Sequence, residues 1–486
     1  MENCVVTFEN AGISLPVAPG TTLLAAQIAA GLHPDAPCGG KGTCGKCRVT
    51  LGGRQVLACQ TVVTESVTVT LPEGGEAAIL VSGGETAPEA DGKNPYAAAF
   101  DIGTTTLVGF LLDGRTGDTL ATVSAMNPQI AYGADVIARI QAAMDGKDLR
   151  GCILSALGEM LEKLSRRGGI SREDIPLVTL VGNTAMHHLL LGIDPAPLVV
   201  PPYMPGVTQA LTLPAAGLLP IHPRGTVRVL PNIAGFVGAD TVGCLVAAGF
   251  DRLRELTLLI DIGTNGEMVL GDGTRRVACS TAAGPAFEGA KISRGMRGAP
   301  GAIDHVTLQD GQLRFHVIGE GEAQGLCGSG LLDLVACLLE AGLLDGSGYL
   351  PGKAYTLPGT DVTLTQGDVR EVQLAKAAIR AGVELLCDHL GVTPGAIRRV
   401  LLAGAFGNYM DPASACRIGM LPPVLEDRIE PIGNAAGAGA KACALDRDAF
   451  ERSQTLAAGT EFLELASRPD FQDRFVDALE FEEEDQ

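Results

Sequence analysis

The sequence predicts two folded parts: a small α+β domain of β-grasp type, then a larger α/β domain built from two copies of one unit. Three observations predict this. Residues 1–72 alternate short strands with one helical segment, four cysteines gather between residues 38 and 59, and an Asp-Ile-Gly-Thr motif occurs twice, with Asp101 and Asp261 lying 160 residues apart. With 486 residues, 46% of them apolar, the chain suits about two or three folding units with substantial cores.

The first part reads in order as strands CVVTFEN and ISLPVAP, a helical segment TTLLAAQIAAGL, a cysteine loop, and strands RVTLGG, RQVLACQT and SVTVTL. Residues 73–95 mix Gly, Pro, Glu and Ala around one short apolar patch, the composition of a linker that lets two domains move. From residue 96 to 465, Gly-rich turns separate apolar strands and alanine-rich helices. In each repeat, YAAAFDIGTTTLVGFLLDGRTGD and LTLLIDIGTNGEMVLGDGTRR, a strand ends in the motif and a second apolar strand follows. That pattern specifies a hairpin whose turn presents backbone N–H groups and hydroxyls. Residues 238–249 and 433–444 are Gly/Ala-rich helical segments whose small faces allow a close helix crossing where two lobes hinge. Residues 466–486 read as an acidic C-terminal tail.

Cys38, Cys44, Cys47 and Cys59 are spaced C-x5-C-x2-C-x11-C. Three thiolates on a tight loop and a fourth on a hairpin strand can surround a two-iron cluster. Gly39, Gly40, Gly42 and Gly45 let the backbone wrap closely and aim N–H groups at the sulfides. A zinc site also uses paired cysteines, but zinc ribbons usually carry two C-x2-C knuckles and this chain has one. The other nine cysteines stand singly among apolar residues and read as small buried hydrophobes, with Cys327 held open.

Two facing motif turns supply what a nucleotide needs. Thr104, Thr105 and Thr106 on one side and Thr264 and Asn265 on the other would grip phosphates, while Asp101 and Asp261 would hold Mg²⁺ through water. In LLAGAFGNYM, an apolar strand runs into Gly404, Gly407 and Asn408, a turn with too little side chain to fill the space a purine would take. The helix beginning at Gly328 and Ser329 has free N–H groups suited to a ribose or phosphate oxygen, a role preferred to plain capping. In VGNTAMHHLLLG, Asn183 or Thr184 caps a helix, and His187 and His188 read as satisfied or exposed helix residues ahead of cofactor contacts. The loop 280–298, with Glu288, Lys291, Arg294 and Arg297, is a candidate for contact with nucleotide or a partner.

The cysteine loop resembles [2Fe-2S] ferredoxins, and its LACQT ending resembles the ferredoxin domain of succinate dehydrogenase and fumarate reductase iron-sulfur subunits. From residue 96 to about 450, the order of parts resembles the acetate and sugar kinase, heat-shock chaperone and actin superfamily. That resemblance implies two ribonuclease-H-like lobes of actin and hexokinase type closing over Mg-ATP. Asp101, Gly103, Thr104 and Thr105 match the first phosphate motif, Asp261, Gly263, Thr264 and Asn265 the second, and Gly404, Ala405 and Gly407 the adenosine motif. The whole chain, through VGNTAMHHLLLG, GPAFEG and CGSGLLDL, resembles the reductive activators of corrinoid proteins. The resemblance implies an ATP-dependent protein that returns oxidised Co(II) corrinoids of methyltransferases to Co(I). It also implies a low-potential electron donor, and the superfamily's habit suggests a homodimer. In that family's usual pattern a middle domain separates ferredoxin and ATPase parts, whereas here the first hairpin follows the linker directly.

Other readings draw on the same residues. An activator of radical dehydratases or aryl-CoA reductases shares the ATPase fold but usually divides its cluster between subunits. A small-molecule kinase with a redox-sensing cluster would need a general base, for which Asp240 or Glu267 is placed in the sequence. A net charge of −20 without clustered Lys and Arg disfavours nucleic acid. No apolar run reaches the roughly 18 to 20 residues that span a bilayer, and the start lacks a basic and apolar leader, so a cytoplasmic, membrane-free protein is expected.

Overall fold

The computed structural model describes residues 4–30, 32, 34, 40, 42, 47–72, 89–319, 321–466 and 468–481. Its first domain comprises β1 (Cys4–Phe8), β2 (Ile13–Val17), α1 (Leu23–Ala29), β3 (Arg48–Leu51), β4 (Arg54–Leu57) and β5 (Val67–Thr70). The strands form one mixed sheet in the order β2-β1-β5-β3-β4, with β1 and β5 parallel and the other pairs antiparallel. Alternation drives this: Cys4, Val6 and Phe8 face inward beneath Leu23, Leu24 and Ala26 of α1, which starts at a Thr22 side-chain cap. A helix packed across a mixed sheet is the expected β-grasp.

Two larger sheets follow. The first lobe contains β6 (Tyr96–Ile102), β7 (Thr106–Asp113), β8 (Thr119–Met126), α2 (Val136–Met144), α3 (Leu149–Gly168), β9 (Leu177–Gly182), α4 (Thr184–Leu191), β10 (Leu211–Pro214), β11 (Thr226–Val229) and α5 (Ala239–Ala247). The second contains β12 (Thr257–Ile262), β13 (Gly266–Gly271), β14 (Arg276–Thr281), β15 (Ala302–Gln309), β16 (Gln312–Val317), β17 (Gly325–Leu326), α6 (Gly328–Glu340), β18 (Ala354–Thr356), β19 (Thr363–Thr365) and α7 (Gln366–Leu390). It continues with β20 (Arg399–Ala403), α8 (Gly404–Tyr409), α9 (Pro412–Arg417), β21 (Ile429–Gly433), α10 (Ala435–Leu445), α11 (Arg447–Ala458), β22 (Thr460–Phe462) and α12 (Pro469–Asp477).

The sheet orders are β10-β11-β9-β6-β7-β8 and β21-β20-β12-β13-β14-β22. In both, a three-stranded antiparallel meander continues into two parallel strands, β9 and β11 in one and β20 and β21 in the other. The repeat in the sequence is thus a repeat of topology, and the two motif turns join the first two strands of each meander. Each sheet is covered on its outer face by its own helices, and a third core between them joins Ala99 and Phe110 to Leu259 and Leu401. Helices α5 and α10 contribute to that shared core. A Cβ added to Gly439 would lie 2.0 Å from the Gly243 carbonyl oxygen, so the two helices cross at a distance that only glycine permits.

Two expectations change here. Residues 404–409, read as a turn, form the short helix α8 directly after β20, because Gly404 takes φ +82 and lets the chain change direction in one residue. The segment assigned to an acidic tail is, over residues 468–481, helix α12 and an anchored end. Phe471 and Phe475 pack on the second-lobe core, Phe481 is buried under Lys376, and Gln373 donates to the Leu479 carbonyl. The i,i+4 spacing of Phe471 and Phe475 puts both rings on one apolar stripe, which outweighs the segment's charges.

Candidate functional site

The two motif turns bring Asp101 and Asp261 into one acidic cluster between the sheets. Asp101 lies opposite Val108 and beside Val181, and Asp261 lies opposite Glu267 and beside Ala403. Asp240, in the first turn of α5, completes the group. Although these residues keep some accessible surface, their carboxyl groups are enclosed by protein. Burial raises Asp101 to about 7, with Asp240 and Asp261 adding to the shift and a hydrogen bond from Asn434 opposing it. Burial raises Asp261 to about 7, assisted by Asp240 and Glu288. It raises Asp240 to about 6, opposed by bonds from Thr241. Glu267 is pushed well above the usual carboxylate range, first by burial and then by Asp240 and Asp261. Enclosed carboxylates that raise one another in this way repel, and among the described residues no three acidic, His or Cys side chains are grouped closely enough to hold a metal ion directly.

Around this floor the turns are braced. Gly103 and Gly263 spend their amides inside their own turns, on the Thr106 and Asn265 carbonyls. Among the described residues, the amides of Thr104, Thr105, Thr264 and Asn265 have no backbone acceptor. Asn183 caps α4 through its Oδ1 and donates its amide to the Thr104 hydroxyl at 2.8 Å. Buried Asn127 donates to the Gly103 carbonyl at 2.8 Å. Asn434, whose Oδ1 caps α10, gives its amide to Asp101. In the second turn the Thr264 hydroxyl donates to Glu288 at 2.8 Å.

Three segments that are separate in sequence converge here. A Cβ on Gly404 would lie 2.6 Å from the Asp261 carboxylate, so the predicted adenosine loop abuts the second motif. Phe406 of that loop turns inward and stacks on Phe287 at 4.5 Å, leaving Ala405 exposed and Asn408 half-buried, while Gly407 packs against Leu402. Gly328 fits against both, since a Cβ there would meet the Phe287 carbonyl at 2.1 Å and Phe406 at 2.8 Å. The Ser329 hydroxyl is taken by the Asp304 carbonyl at 2.8 Å. The Gly-Ser-Gly turn therefore owes its glycines to close backbone packing, and what it offers beyond that is amides, not its hydroxyl. His187 and His188 are buried anchors: His187 Nδ1 pairs with Asn232, and His188 accepts from Gly206 through Nε2. Burial lowers His187 to about 4, so it is neutral.

In the first domain, Cys47 and Cys59 are buried at 4% and 7% exposure, and the Ala58 amide bonds the Cys47 carbonyl at 2.7 Å. Cys38 and Cys44 lie outside the described residues. Gly40, at φ +85, passes so closely that a Cβ would sit 3.2 Å from Leu24 and 3.8 Å from Cys59, and Gly42 presses on Gln60. A glycine loop laid over a buried pair of thiols fits a cysteine-ligated cluster. The nine remaining cysteines are buried except for half-buried Cys152. Burial raises the thiols of Cys152, Cys279, Cys337, Cys387 and Cys443, as expected of inert packing residues.

Comparison with known proteins follows the same division. A 2Fe-2S iron-sulfur cluster binding domain matches residues 6–64, the RACo middle region matches 96–253, and the C-terminal domain of RACo, the ASKHA domain, matches 255–486. The corrinoid activation enzyme RamQ of Eubacterium limosum is 37% identical over 413 residues, 78% of this chain and 69% of that protein. This chain belongs to the corrinoid activator family. The [Co(II) methylated amine-specific corrinoid protein] reductase of Methanosarcina barkeri is 28% identical over 73% of this chain and 71% of its own length. A solved reductive activator for corrinoid, iron-sulfur protein superposes with a TM-score of 0.72 at 28% identity, covering 98% of both chains.

In this activator the middle region is present at residues 96–253 and coincides with the first lobe, which corrects the expectation that the chain departs from the family's pattern there. Sequence alone does not mark Asn127 and Asn434 as bracing residues, and it shows Glu288 only as one charge of the 280–298 loop. An Asn-Pro pair after a strand end is the local signal of a turn at Asn127. No helix among the described residues is long and apolar enough to cross a membrane.

Proposed function

We propose that this activator passes one electron from a [2Fe-2S] cluster to a corrinoid protein oxidised to Co(II), restoring the Co(I) state used in methyl transfer, and that Mg-ATP drives the transfer. The observation carrying this reading is that one chain joins a ferredoxin-type cysteine loop to a two-lobed cleft floored by uncompensated carboxylates. Its relatives are a corrinoid activation enzyme and a Co(II) corrinoid protein reductase. Cys38, Cys44, Cys47 and Cys59 would hold the cluster, which supplies one electron at a time. Residues 1–72 serve as the redox domain and the two lobes from residue 96 onward, α12 included, as the ATPase.

In the cleft, Asp101 and Asp261 would hold Mg²⁺ through water, and the amides and hydroxyls of Thr104, Thr105, Thr264 and Asn265 would take phosphate oxygens. The cation would offset the repulsion among the four carboxylates and the phosphate oxygens would in turn bind the cation, so Mg-ATP favours a closed arrangement of the lobes over the α5–α10 crossing. Moving an electron uphill costs about 2.3 kcal/mol per 100 mV, a sum within reach of nucleotide binding energy. A low-potential donor reloads the chain between turnovers.

Two variants test the division of labour. Cys44→Ser is expected to abolish the normal cluster spectrum and corrinoid reduction while leaving Mg-ATP affinity intact. Asp261→Ala is expected to do the reverse, keeping the cluster and losing nucleotide. If both variants stayed folded and each lost both properties, the two-module reading would fail.

A further inference from the structure

Two arginines beside the first motif turn make no ion pair among the described residues, although Asp135 and Glu288 lie near enough to Arg139 to favour its charged form. Arg139 of α2 is 0% exposed; its Nε donates to the Gly133 carbonyl at 2.9 Å and its Nη1 to the Met186 thioether at 3.5 Å, while its Nη2 has no partner. Arg297, on the second-lobe loop, reaches the first lobe, its Nη1 lying 2.7 Å from the Met126 sulfur. Neither has a carboxylate within ion-pair distance among the described residues, in a chain with 56 acidic and 36 basic side chains. A thioether is a weak acceptor, and enclosing an unpaired guanidinium is costly. Packing alone does not account for the enclosed Arg139 beside a second, half-buried arginine that reaches across from the other lobe.

The two sulfur contacts are neighbours. Met126 precedes Asn127, whose Nδ2 holds the Gly103 carbonyl and also touches the Met186 sulfur at 3.6 Å. One guanidinium thus stands behind the Gly103–Thr106 turn through Met186 and Asn127, and the other meets the same strand end from the opposite lobe. Burial lowers Arg139 to about 10, which leaves it charged at neutral pH.

We infer that Arg139 and Arg297 form the cationic half of the cleft, an anion subsite for a terminal phosphoryl group, the γ-phosphate of a nucleoside triphosphate. The inference rests on the nucleotide reading above and deepens it. Half-buried Arg297 is the contacting residue, exchanging a thioether for phosphate oxygens in charge-assisted bonds. Arg139 is a positioning residue that holds Met186 and Asn127 under the turn and adds positive potential there. Because the pair spans both lobes, the third phosphate ties them together and a diphosphate does not.

Calorimetric titration of the full chain with Mg-ATP, Mg-ADP and tripolyphosphate tests this in wild type, Arg297→Met, Arg297→Lys and Arg139→Met. Arg297→Met is expected to weaken Mg-ATP and tripolyphosphate by roughly tenfold or more and Mg-ADP by less than about twofold, with Arg297→Lys intermediate. Arg139→Met is expected to weaken Mg-ATP yet raise the melting temperature of the ligand-free protein, since an unpaired buried charge gives way to an apolar side chain. A residue serving structure alone would lower it. Equal losses for ATP and ADP, or no loss with Arg297→Met, would overturn the subsite while leaving nucleotide binding standing. Arginine-dependent tripolyphosphate binding without ATP binding would uphold the subsite and sink the nucleotide reading. A wild type that binds none of the three overturns both.

Discussion

The two motif turns share a sequence and a topology, yet their surroundings have opposite chemistry. Around Asp101, the neighbours donate: Asn127 to Gly103, Asn183 to Thr104 and Asn434 to Asp101, with Arg139 behind. Around Asp261, they accept or repel, with Glu288 taking the Thr264 hydroxyl, Glu267 across the ladder and Gly404 pressed against the carboxylate. On the proposed nucleotide reading, the donor-rich side would suit phosphate oxygens and the acceptor-rich side a hydrated cation.

That contrast can be broken by exchanging the two sides. The largest effect is expected from Asp261→Asn, which should lower Mg-dependent ATP affinity on the order of 100-fold. Asp101→Asn should cost less, because Asn434 already meets that carboxylate with a donor. Equal losses would mean that the sides are equivalent. Next is the hinge that both lobes share: Gly439→Val would drive a side chain into the Gly243 carbonyl and should cost about 3 kcal/mol of stability, read from the denaturant midpoint.

The pH dependence sharpens the same comparison. Asp101 and Asp261 at about 7 and Asp240 at about 6 are raised above their unfolded value of 3.8, so the folded chain binds more protons between these limits. These groups therefore make the ligand-free protein less stable as pH rises from about 4 through 7. Mg-ATP, which favours the ionised carboxylates, should stabilise more at pH 8 than at pH 6 in thermal melts. An Asp261→Asn chain should show a shallower slope. The smallest effect is expected from Asn183→Ala, about 1 kcal/mol for the lost α4 cap, together with weaker phosphate binding on the first side only.

Much of the architecture was legible because it rests on local periodicity. The succession of strands and helix in the first domain, the hairpins at Asp101 and Asp261, and the small-residue helix crossing all follow from alternation, repeat and glycine spacing. What stayed hidden depends on tertiary partners. Asn127, Asn183 and Asn434 lie far from the turns they brace or from each other, and an asparagine in sequence looks like any turn or cap residue. The glycines of residues 328–330 signalled an open turn, whereas the backbone of Phe287 and Ile303 approaching from outside is what requires them. The acids around α12 make residues 466–486 read as a tail, whereas the i,i+4 spacing of Phe471 and Phe475 lets both rings pack on the second-lobe core.

The central claim, that nucleotide drives corrinoid reduction, is tested most directly by one anaerobic experiment. The reduced protein is mixed with a Co(II) corrinoid methyltransferase subunit from the same organism, and Co(I) is followed by absorption with and without Mg-ATP. The account predicts Co(I) formation that requires Mg-ATP. Co(I) appearing equally without nucleotide, or none appearing while the cluster is reduced and ATP is consumed, would contradict it.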